Sequence, residues 1–244
     1  MDVTEAAGRF HAYGTSHQAV ILVLLVGGAL LVWFGRSHAG SPAADRLGRV
    51  LALATLVIMV PLQILYLTPS YLSLQRTLPL NLCDLAWMVA VYALWTHRRW
   101  AVSLTYYWGL TLSTQAVITP DLAKDFPDPS FLLFWAMHLL IVWSAVYLTW
   151  GLRLTPDWRS YRTAIVATAV WAVTAFAFNE VAGTNYGFLN AKPATASILD
   201  LLGPWPWYVA AEVVIALSVW ALVTWPWVAL ARRRATPTPA AAAG

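Results

Sequence analysis

Cysteine and charge are what this sequence has least of. A single cysteine, Cys83, among 244 residues excludes an internal disulfide framework and a thiolate metal cage, leaving one thiol as the only sulfur nucleophile. Charged residues make up 11% of the chain, against roughly 25% in ordinary soluble domains, so a soluble globular protein is excluded too. Lysine occurs only as Lys124 and Lys192, both between apolar runs. No run therefore carries an amine for a Schiff base, which argues against a retinal-type photoreceptor. No HxxxH or HExxH spacing supports zinc, and no metal or other cofactor is expected. The N-terminus carries Asp2 and Glu5 and shows no cleavable signal peptide.

What is abundant is apolar: 60% of residues are hydrophobic and 15 are tryptophan. The apolar runs are about 20 residues long, the length of a membrane helix. Seven are expected, at 18–35, 50–67, 78–95, 100–119, 131–150, 163–181 and 205–230. The fold expected is all-α, a polytopic seven-helix membrane bundle. It follows a polar lead-in at 1–17 and precedes a basic, then Pro/Ala-rich disordered tail at 232–244. Gly27-Gly28 in the first run suits close helix contact, and Pro79 suits the first turn of the third. Eleven of the fifteen basic residues fall after runs one, three, five and seven: Arg36, Arg46, Arg49, Arg98, Arg99, Arg153, Arg159, Arg162 and Arg232 to Arg234. Arg9, Arg76, Lys124 and Lys192 lie on the other side. Membrane topology accounts for this asymmetry better than nucleic-acid affinity does: N-terminus outside, C-terminus cytoplasmic, in the cell membrane. The partners expected are membrane lipids and not nucleic acid, with the oligomeric state open.

On that orientation the polar residues inside the runs gather in the outer half. Gln63, Asn81, Asp84, Gln115, Asn179 and Glu180 lie near outer ends. Cys83, His138 and Glu212 sit about 8 to 10 Å deep at a rise of about 1.5 Å per residue. Asn185 and Tyr186 lie in the outer connection before the last run. Ionisable groups in a membrane span point to function by default, and this shared depth suggests one polar pocket. Two chemistries fit. Cys83 is a thiol nucleophile with His138 as its base, or Asp84, His138, Glu180 and Glu212 bind a proton or polar ligand in a transporter or receptor. A buried structural cysteine is the inert alternative.

Three stretches also carry a resemblance. Leu78 to Asp84 (LPLNLCD), Phe134 to His138 (FWAMH), and Asn185 to Pro193 together with Leu199 to Trp207 resemble the YwaF-like integral membrane family. The match in motif order and spacing spans most of the chain. A distant vertebrate branch of that group is regarded as a lipid acyltransferase acting through a cysteine in the same LPLxLC-type helix. The resemblance thus implies Cys83 as the acyl-accepting nucleophile and His138 as its partner. Asn81 stands where relatives often carry histidine.

Overall fold

A computed structural model describes residues 8–75, 77–193 and 198–235. The tail beyond residue 235 and the first seven residues of the expected lead-in lie outside the described residues, as does Arg76. Within them the protein is helical: α1 (Thr15–Ser37), α2 (Pro42–Tyr66), α3 (Leu82–Thr96), α4 (Arg99–Tyr107), α5 (Thr114–Ile118), α6 (Pro129–Val146), α7 (Trp158–Ala182) and α8 (Trp207–Ala235). A π-helical stretch, Trp108–Ser113, joins α4 to α5, and another, Tyr147–Gly151, extends α6.

Among the described residues, five helices are long and apolar enough to cross a membrane: α1, α2, α6 with its π-helical end, α7 and α8. α3 is apolar but only 15 residues long. Large apolar side chains stand outward on the long helices, among them Leu22, Leu25, Val166, Val170, Val214 and Leu222. A surface of that kind belongs against lipid rather than water.

Capping chemistry, more than hydropathy, sets where the helices start. α2 begins at Pro42, so residues 42–49 are helical where the sequence suggests a loop. Proline suits that first position because its missing N–H has no partner to lose there. α7 begins at Trp158, five residues before the apolar run, because the Asp157 carboxylate accepts the Ser160 amide at 2.9 Å. Asp128 caps α6 in the same way through Ser130. The third helix departs from expectation most. Pro79 lies outside it, and α3 starts at Leu82 behind a capping box of Asn81 and Asp84. A reciprocal cap satisfies two orphan amides, which a proline cannot do. At the other end α8 runs through Arg232–Arg234, three residues the sequence assigned to the tail.

The core is aromatic, and its polar atoms are paired between helices. Tyr107 and Trp220 are buried in one cluster with Trp87, Trp108 and Ile141. Tyr107 Oη lies 2.6 Å from Thr224 Oγ1, Tyr106 Oη donates to the Val223 carbonyl, and Trp220 Nε1 donates to Thr111 Oγ1. These bonds tie α8 to α4 and its π-helical extension. Lipid gives apolar helices no hydrophobic reason to associate, so such bonds and close packing do that work. Between α1 and α6 the close packing rests on glycine. Trp143 lies against Gly27 and its Nε1 donates to the Leu24 carbonyl at 2.9 Å.

The expectation for Gly27-Gly28 is therefore specific to one of the pair. A Cβ on Gly27 would stand 2.3 Å from Trp143 Cζ2, whereas one on Gly28 would meet Val146 at an ordinary 3.8 Å. Gly27→Ala is expected to lower stability by roughly 1–3 kcal/mol through overpacking. Gly28→Ala should be nearly neutral. Thermal unfolding midpoints of the two variants in detergent check this.

Candidate functional site

The bundle has two chemically different ends. At one, Arg36 Nε donates to the Trp150 carbonyl, Arg49 lies over Trp95, and Arg99 pairs with Asp157. At the other, residues 66–75, 77–81 and 183–193 fold over the start of α3. Most of the polar residues singled out in the sequence belong to this second end.

Its centre is Asn179, in the last turn of α7 and 2% exposed. Its Nδ2 donates to the Tyr186 carbonyl at 3.0 Å and to Asn190 Oδ1 at 2.8 Å. Its Oδ1 accepts from Thr184 Oγ1 at 2.7 Å and from the Tyr186 amide at 2.8 Å. Those four bonds use both donors and both lone pairs of the amide. They fix the turn that follows α7, where Gly183 takes a left-handed conformation with φ +65°.

Tyr186 carries the order onward. Its ring is buried, and its hydroxyl donates to the Leu74 carbonyl at 2.8 Å while accepting the Leu78 amide at 3.1 Å. Burial pushes the phenol above its ordinary pKa; the Leu78 amide opposes this and the Asp84 carboxylate adds to it. The hydroxyl thus keeps its proton as donor at neutral pH. Next along, the Gly187 amide donates to Asn81 Oδ1 at 3.3 Å, and Trp171 Nε1 donates to the Leu80 carbonyl at 2.9 Å. Gln63 Nε2 donates to the Thr77 carbonyl at 3.0 Å. The segment that leads into α3, residues 77–81, is in this way held from α2, from α7 and from the loop after α7.

Cys83 sits in that turn, at the second helical position, and is half-buried. Asp84 Oδ2 accepts the Asn81 amide at 3.1 Å. His138 is buried in α6, with Nδ1 2.7 Å from the Phe134 carbonyl. That contact makes Nδ1 the protonated nitrogen of a neutral ring and leaves Nε2 as the basic one. α3 packs on α6, and Leu82 and Leu85 share an apolar cluster with Met137 and Ile141. No hydrogen bond joins Cys83 to His138.

The remaining residues divide. Asn185 Nδ2 donates to the Ala191 carbonyl, and its Oδ1 accepts two amides, so it builds its own loop. Glu180 is exposed and accepts from Asn190 Nδ2. Gln115 is exposed at the start of α5, apart from the loops over α3. Glu212 is half-buried in α8 and makes no hydrogen bond or ion pair among the described residues. No group of three or more His, Cys, Asp or Glu that could hold a metal occurs among the described residues.

Sequence reasoning missed Trp171 and His17. Trp171 lies inside an apolar run with nothing to distinguish it. His17 is fully buried, with Nε2 2.8 Å from the Val117 carbonyl and Nδ1 accepting the Tyr13 amide at 2.9 Å. These two bonds pin the polar lead-in to α5, so His17 is structural. A histidine at the border of an apolar run was the only available signal.

Gly187 is the sharpest test of the loop's fit. It has φ +68°, and a Cβ there would stand 2.5 Å from Trp171 Cη2. Gly187→Ala is expected to strain the backbone and displace Trp171, lowering stability by roughly 1–3 kcal/mol. Gly40→Ala, at φ +73° but with open space around it, supplies the backbone contribution alone. A larger loss of unfolding midpoint for Gly187→Ala than for Gly40→Ala is the outcome to look for.

Comparison with curated proteins and with solved structures gives no significant match. The sequence profile of the TMEM164 family, in contrast, matches residues 12–224, from the lead-in through most of α8. On a match of that extent, the chain belongs to the TMEM164 family.

Proposed function

We propose that this membrane protein is a cysteine-dependent lipid acyltransferase of seven membrane crossings, with its arginine-rich end in the cytoplasm. On this reading α3 and the run from α4 through α5 are the two crossings additional to the five long apolar helices. The protein resides in the cell membrane, with a polar pocket in the outer half of its bundle. The observation that carries the reading is the placement of Cys83. The one thiol of the chain lies half-buried in the first turn of a helix whose approach, residues 78–81, is held by α7 and by the loop after it. The resemblance of LPLNLC to an acyltransferase motif points to the same residue.

The chemistry balances without a cofactor. Cys83 gives its proton to His138 Nε2 and the thiolate attacks the carbonyl carbon of a lipid ester. The C–O bond breaks, and the departing lysolipid oxygen takes the proton back from His138. An acceptor hydroxyl then attacks the thioester, restoring the thiol and completing acyl transfer. His138 meets Cys83 only once substrate is bound, since catalytic hydrogen bonds often tighten at that stage.

The test uses the purified chain in lipid nanodiscs with a labelled phospholipid donor. Intact mass should show a hydroxylamine-sensitive acyl adduct, absent in Cys83→Ala. In His138→Ala the adduct should form at least roughly a hundredfold more slowly, the size of a lost general base. Absence of any adduct with phosphatidylcholine, phosphatidylethanolamine and phosphatidylglycerol donors alike would rule the mechanism out.

One observation favours a second reading. Glu212 is a half-buried carboxylate in an apolar helix without a hydrogen-bond partner among the described residues, as ligand- or proton-carrying sites require. A transporter or receptor built on Asp84, His138, Glu180 and Glu212 should lose vesicle uptake in Glu212→Gln while tolerating Cys83→Ser. The acyltransferase reading gives the reverse.

A further inference from the structure

The arginine-rich end holds a feature that topology alone does not require. Two adjoining hollows, of about 310 and 620 Å³, open between the α3–α4 turn and the start of α7. They share Arg99, Ser103 and Ser160. His97 and Arg153 line the first, and Arg98, Arg159 and Arg162 the second. Five arginines from three segments thus converge on one cleft. Among the described residues only Arg99 has an ion-pair partner there, Asp157. Positive charge of that density calls for an anion.

A further observation points at the same cleft. His97, which ends α3 as its left-handed C-cap, has its Nε2 buried without a hydrogen-bond partner, although buried polar atoms nearly always have one.

The surroundings give the anion its source. Trp100 lines the second hollow and stacks on Tyr92 at 5.2 Å, and Trp95 stands exposed beside them. Such aromatic clusters mark the level of the lipid headgroups. Arg159, Thr163, Val166, Val170 and Val173 recur at helical spacing on one face of α7, and the three valines are 61–71% exposed. A headgroup in the cleft would have its acyl chains laid along that stripe.

We propose that this cleft binds the phosphate of an anionic phospholipid from the leaflet at the arginine-rich end, with its chains against α7. The site lies at the opposite end of the bundle from Cys83, so the acyl-transfer reading can fail without it. Arg159 and Arg162 are the contacts easiest to remove, because both are exposed and substitutions at exposed positions perturb a fold least.

The test is native mass spectrometry of the full chain released from phosphatidylcholine nanodiscs doped with phosphatidylglycerol. Wild type should retain one phosphatidylglycerol in preference to phosphatidylcholine. Arg159→Gln/Arg162→Gln should retain it at least roughly tenfold less, given the worth of each arginine near a lipid phosphate. Arg159→Lys/Arg162→Lys should fall between the two. Arg233→Gln/Arg234→Gln, which removes the same charge from the end of α8, should behave as wild type. Matching unfolding midpoints in pure phosphatidylcholine establish that the cleft variant is folded. Undiminished retention by the Gln pair would overturn the site, and an equal loss in the α8 variant would overturn it in favour of general surface charge. Displacement of the lipid by millimolar inorganic phosphate would overturn the lipid assignment in favour of a soluble phosphate.

Discussion

Everything at the proposed catalytic end depends on one buried amide. Asn179 commits its full hydrogen-bonding capacity to four bonds with three residues within eleven positions of itself, and an unsatisfied amide at that position would cost about 1–3 kcal/mol. The turn it fixes presents Tyr186, whose hydroxyl reaches across to Leu74 and Leu78. From there the order passes through Gly187 and Asn81 into the first turn of α3, which carries Cys83. A reactive group on a loop would be loosely placed. A reactive group on a helix start whose lead-in is bonded to two other helices has a fixed direction of approach.

The rest of the bundle makes that end rigid in a different way. α1 and α6 approach closely because Gly27 leaves room for Trp143, and the same device recurs where Gly35 lies against Gly151. α4 and α8 are joined by tyrosine, threonine and tryptophan hydrogen bonds deep in the core. These contacts suit a helix surrounded by lipid, where burying leucine gains little and van der Waals fit and polar pairing decide association. The arginine-rich end is built oppositely, with an open cleft in which, among the described residues, only Arg99 has an ion-pair partner.

The helical architecture was legible in the sequence because long apolar runs have few alternatives in a membrane. Helix starts were less so. Apolar windows placed α7 five residues late and α3 four residues early, because Asp157 and the Asn81–Asp84 box act through hydrogen bonds that hydropathy does not register. Asn81 shows the cost most clearly: read as a departure from the histidine of relatives, it serves here as the helix cap and as acceptor for Gly187. Of the candidate site, Gln63, Asn81, Asp84, Asn179 and Tyr186 come together in the folded chain. Gln115 stands apart, and Glu180 and Asn185 fold their own loop. Residues that brace through an indole N–H, as Trp171 does, give no periodic or compositional signal among 15 tryptophans.

The central claim is that the loop after α7 positions the first turn of α3. Hydrogen exchange of wild type and Asn179→Ala in detergent tests it directly. The account expects amides in residues 184–191 and 78–85 to lose protection together, by roughly tenfold or more for one lost buried hydrogen bond or greater, while α4 is unchanged. Loss confined to residues 179–191, with the start of α3 protected as in wild type, would contradict it.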